Sequence, residues 1–98
     1  MKVELTDEQI VATILDKLVR RRVWGQSYLP MDSVVKWIAS KIKRDGKRVR
    51  RIMKDLIKER ILLTKKSGAV ISLNPEEFER IMEIRRRVLS RSFQSFEF

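Results

Sequence analysis

Apolar residues recur at helical spacing in four stretches of this chain. Between Asp45 and Glu59 they fall at Val49, Ile52, Met53, Leu56 and Ile57, the i, i+3, i+4, i+7, i+8 positions of one buried face, which predicts a helix over about 46–59. Ile10, Val11, Ile14, Leu15 and Leu18 predict an earlier helix over about 7–22. Met31, Val34, Val35, Ile38, Ala39 and Ile42 predict a second over about 31–42. Phe78, Ile81, Met82, Val88 and Leu89 predict a fourth over about 75–90. Two β-prone runs, Ile61 to Thr64 and Ala69 to Leu73, flank Lys65-Lys66-Ser67-Gly68 and read as a hairpin. Gln26 to Leu29 reads as extended, a short edge strand ahead of the second helix.

The residues between these runs fit their ends. Thr6-Asp7-Glu8-Gln9 has the form of a capping box, with Thr6 as N-cap and Gln9 reaching back. Pro30 suits the first turn of the second helix, and Asp45 the N-cap of the third. Asn74 and Pro75 fit the N-cap and first position of the fourth, with Glu77 closing a box-like pair. Arg20-Arg21-Arg22 fall in the last turn of the first helix, where cations relieve the negative end of its dipole or meet a phosphate. The third helix ends at Glu59–Arg60, with arginine where glycine is frequent. Trp24 and Trp37 read as core or rim packing.

Ninety-eight residues make one domain, taken as 1–90, with a tail over 91–98 that carries Phe93, Phe96 and Phe98. Cysteine and histidine are absent, which excludes disulfides and thiolate or imidazole metal sites and removes the commonest acid, base and nucleophile. No paired-base or metal constellation stands out, so the expectation is a non-enzyme without cofactor. With no signal peptide or membrane-length apolar run, the chain reads as cytoplasmic, and no small-molecule effector site is evident.

Charge changes the picture most. Of the formal net +10, residues 41–66 hold +9, twelve Lys/Arg less three acids. On the third helix Lys47, Arg51, Lys54 and Lys58 line up opposite the apolar face, with Arg50 at one edge and Arg48 at the other. Lys43 and Arg44 precede that helix, and Lys65 and Lys66 sit in the hairpin turn. Like charges on one face repel, and a merely solvating face alternates signs more often. A polyanion is the partner this pattern fits, with lysines on phosphates and Arg48, Arg50 and Arg51 able to fork onto guanine.

The stretch DGKRVRRIMKDLIKERILLTKKSGAVISLNPEEFERIM, with the capped first helix, resembles the small winged helix-turn-helix DNA-binding proteins common among archaeal and bacterial transcription regulators. The resemblance implies a mostly α fold with a small β-hairpin, in the order α1-(β1)-α2-α3-β2-β3-α4. It also implies a third helix in the major groove of double-stranded DNA and a basic wing, about 61–73, on the adjacent backbone or minor groove. Transcription regulation on the nucleoid is the expected role. The alternatives are a sequence-tolerant DNA or RNA binder in replication, nucleoid or plasmid/virus maintenance, and a winged-helix protein–protein adaptor. A homodimer is expected through Phe78, Ile81, Met82, Val88, Leu89, Phe93 and Phe96, with Phe98 beside them, because a small core has no evident use for so many apolar groups.

Overall fold

The computed structural model describes residues 5–41 and 46–89, with the backbone alone at Leu89. Asp45, the expected cap, and the tail phenylalanines lie outside the described residues. Among the described residues four α-helices and three short strands follow in order: α1 (Asp7–Arg20), β1 (Leu29–Pro30), α2 (Met31–Ala39), α3 (Gly46–Lys58), β2 (Leu62–Lys65), β3 (Val70–Leu73) and α4 (Phe78–Leu89). The fold is α+β, mostly helical with a small antiparallel sheet in the order β1-β3-β2. Among the described residues no helix is long and apolar enough to cross a membrane.

The capping box at α1 is present. Gln9 N donates to Thr6 Oγ1 at 3.1 Å, and Thr6 N donates to Gln9 Oε1 at 2.9 Å. At its other end α1 stops at Arg20, short of the expected 22, because Arg22 turns left-handed at φ +57°. Arg22 N then reaches Val19 O at 3.0 Å and Val23 N reaches Leu18 O at 3.2 Å, the paired bonds of a Schellman close. α3 ends the same way, with Arg60 at φ +61°, Arg60 N on Ile57 O and Ile61 N on Leu56 O, both at 3.0 Å. In each motif the residue beyond the left-handed position, Val23 or Ile61, is buried with its partner Leu18 or Leu56. Burial thus holds an arginine in a backbone conformation that glycine adopts more cheaply.

Other boundaries shift for local reasons. α2 ends at Ala39 because Ser40 closes it, donating Oγ to Trp37 O at 2.9 Å. Pro30 lies before α2, as the last residue of β1 with ψ 130°, rather than in its first turn. The strand ahead of α2 pairs at Leu29–Pro30, not over 26–29, because the chain reverses at Gly25. There φ is +60°, and an added Cβ would lie 3.0 Å from Pro75 Cγ. Asn74 caps a single 3-10 turn over Pro75–Glu77 that leads into α4, accepting from Glu76 N at 3.0 Å. Glu77 turns instead to Arg80, 3.5 Å away, and does not close a box.

The core is one cluster. Ile10, Ile14, Leu15 and Leu18 of α1 meet Val34, Val35 and Ile38 of α2, Val49, Ile52, Met53 and Leu56 of α3, and Leu62, Ile71 and Leu73 of the sheet. Ile81 and Val88 of α4 are also buried, Ile81 completely. α4 packs on α1, and Ile81, expected at a dimer seam, is enclosed in the domain's own core cluster.

Candidate nucleic-acid interface

Helix α3 divides as its periodicity demands. Val49, Ile52, Met53 and Leu56 are buried, while Lys47, Arg51, Lys54 and Lys58 are exposed. At about 100° per residue Lys47, Lys54 and Lys58 fall within about 40° of arc at the centre of the outward face. None of the three has an ion pair or hydrogen bond among the described residues. Lys54 and Lys58 are also i,i+4 neighbours, a like-charged spacing that costs an isolated helix a few tenths of a kcal/mol.

The arginines are placed differently. Arg48 donates Nε to Asp7 Oδ1 and Nη2 to Leu5 O, both at 2.8 Å, and so ties the start of α3 to the start of α1. Its place is at the seam between the two helices rather than at the outward centre. Arg51 reaches the other oxygen of Asp7, Nη2 to Oδ2 at 3.3 Å. Arg50, on the opposite edge, donates Nη2 to Asp32 Oδ1 at 2.8 Å. Asp7 and Asp32 stand in the first turns of α1 and α2, where the helix dipole favours a carboxylate.

The hairpin pairs Leu62 with Leu73 at its base and Lys65 with Val70 at its tip, so Lys65 ends β2 rather than standing in the turn. Lys66, Ser67 and Gly68 all take positive φ, at 54°, 56° and 92°, making a tight four-residue connection over 66–69. Met31 N donates to Ala69 O at 2.9 Å, so the tip is fastened to the start of α2 one residue from Asp32. Lys65 Nζ lies 4.8 Å from the centroid of the Tyr28 ring, a cation–π contact that steadies an otherwise exposed lysine. Lys66 is exposed. Lys43 and Arg44 lie outside the described residues.

Three contributors were not singled out from sequence. Tyr28 carried a faint signal, an aromatic in a polar segment beside Pro30. Asp7 and Asp32 carried none beyond their place near helix starts, because their partners are 41 and 18 residues away in the chain. The tryptophans fit the rim reading: Trp37 lies under Lys17 and Arg21, 5.0 and 4.5 Å from their charged heads, and Trp24 meets Phe78 at 5.4 Å. Arg21 is thereby turned toward Trp37. Among the described residues no cluster of three acidic, cysteine or histidine side chains could hold a metal ion.

Comparison with family models, with curated proteins and with solved structures gives no match to this chain.

Proposed function

We propose that this chain binds double-stranded DNA, with α3 in the major groove and the β2–β3 hairpin on the neighbouring backbone, as a winged helix-turn-helix transcription regulator. The observation that carries the reading is the row Lys47, Lys54 and Lys58, aligned on the outward arc of a helix whose inner face is buried. A row of unpaired like charges is destabilising by itself and becomes favourable when phosphates neutralise it. The element order, the strand order β1-β3-β2 and the two lysines at the hairpin tip support the same reading.

Sequence-tolerant binding, as in nucleoid or replication proteins, is the second reading, and one observation favours it. Three of the groups on the outward arc, Lys47, Lys54 and Lys58, act as point charges, while Arg48, Arg50 and Arg51 already have intramolecular partners. A regulator of this kind would act as a two-fold dimer on an inverted repeat. Of the α4 residues expected at the seam, Phe78, about half exposed, and the partly buried Met82 are open among the described residues to meet a second copy.

A gel-shift titration on the DNA upstream of the protein's own coding region, with random duplex as competitor, tests the reading. Retention of the shifted band at a large excess of competitor supports a sequence-selective regulator. Equal loss to any duplex supports the tolerant binder, and no shift at low salt removes DNA binding.

A further inference from the structure

Two carboxylates stand beside the basic face of α3, each from a different helix, and each touches an arginine. Asp32, in the first turn of α2, holds Arg50 on one edge at 2.8 Å. Asp7, in the first turn of α1, holds Arg51 on the other at 3.3 Å and is itself braced by Arg48 at 2.7 Å. By helical geometry Arg50 and Arg51 lie about 40–60° to either side of the lysine row. Both arginines retain substantial exposure, 43% and 62% of their side chains. In each, Nη2 is the atom engaged by the carboxylate, so other N–H donors of the guanidinium fork remain for an incoming acceptor.

We infer that Asp7 and Asp32 are specificity-determining positioning residues, which hold Arg51 and Arg50 ready for base edges on either side of a phosphate-binding lysine row. The inference rests on the DNA-binding reading above and assigns a task to acids that, for affinity alone, stand in the wrong place. A carboxylate beside a phosphate-binding face repels every DNA sequence. What it returns is order: an arginine paired in the free protein has given up part of its rotamer freedom, so a correct guanine contact costs less to form. A wrong base meets a guanidinium that must give up its carboxylate before it swings aside to a phosphate. Stability does not account for these pairs, since exposed ion pairs contribute little to folding. Both acids can therefore be neutralised with the fold kept.

The two effects move in opposite directions when the acids are removed, which makes the inference testable. A randomised duplex pool is carried through selection with the wild-type protein. Affinities of wild type and the D7N/D32N variant are then measured by fluorescence anisotropy for the enriched duplex and the starting pool at one salt concentration. The expected result is about threefold tighter binding of the starting pool as repulsion is lost. The enriched duplex binds about threefold more weakly, so the ratio of the two affinities falls about tenfold, within the range of one base contact. An unchanged ratio, with both affinities rising together, shows that the acids only repel and overturns the inference. A wild type that binds every duplex alike overturns it too while leaving DNA binding intact. A wild type that binds neither removes the DNA reading and the inference with it.

Discussion

Arg85 Nε of α4 lies 2.7 Å from Oδ1 of Asp16 in α1, a carboxylate only 1% exposed. The second oxygen of Asp16 lies 3.0 Å from Arg20 Nε, close enough for an ion pair but without the alignment of a hydrogen bond. A buried carboxylate demands a countercharge, and this one draws it mainly from α4. Helix α4 is thus fastened to α1 by a charge as well as by Ile81. Arg85→Ala should destabilise the domain by about 2–3 kcal/mol, less than a fully orphaned charge because Arg20 remains. Replacing both partners, Asp16→Leu with Arg85→Met, should recover most of that loss in urea unfolding.

Arg60 and Arg22 hold left-handed backbone at the ends of α3 and α1. Glycine at either position removes a Cβ clash but adds freedom to the unfolded chain. The balance should favour Arg60→Gly by about 0.5–1 kcal/mol, read as a higher urea midpoint at unchanged slope.

How far the sequence carried the fold can be read from these same residues. Among the described residues the apolar period located all four α-helices and the Thr6–Gln9 box marked the start of α1, because both are local signals. The arginine at position 60 marked the end of α3 in the chain, but its positive φ came from burial of Ile61 against the core, a tertiary effect. The α4 stripe was legible as apolar, but not that Ile81 joins the core of its own domain, since periodicity says that a face is buried and never against what. The basic face of α3 was legible for the same local reason as its apolar back. The Asp7 and Asp32 contacts were not, because nothing in the spacing of 41 and 18 residues announces them.

Ile81 and Phe78 separate core from surface on α4. Ile81 is fully buried and Phe78 is 51% exposed against Trp24. Ile81→Ala should cost about 3 kcal/mol of stability. Phe78→Ser should cost about 1 kcal/mol or less and shift the Trp24 emission. Dissociation of a dimer by Ile81→Ala, at unchanged domain stability in light scattering and urea unfolding, would contradict the packing described here.

The hairpin lysines should act additively and without regard to sequence. Lys65→Ala with Lys66→Ala should flatten the log–log dependence of DNA affinity on salt by about 1.8, two phosphate contacts. The loss should be equal on enriched and random duplexes. Lys65 also leaves the Tyr28 ring in this variant, so a change in Tyr28 emission reports its removal.

The salt slope of the α3 lysine row tests the central claim most directly. Affinity for a labelled random duplex is measured by anisotropy over a series of salt concentrations, for wild type and for Lys47→Ala, Lys54→Ala and Lys58→Ala combined. These side chains lie on the exposed arc, so the melting temperature should stay near that of wild type. The slope should be shallower by about 2.7 in the triple variant, three phosphate contacts removed. An unchanged slope in a folded triple variant would contradict the claim.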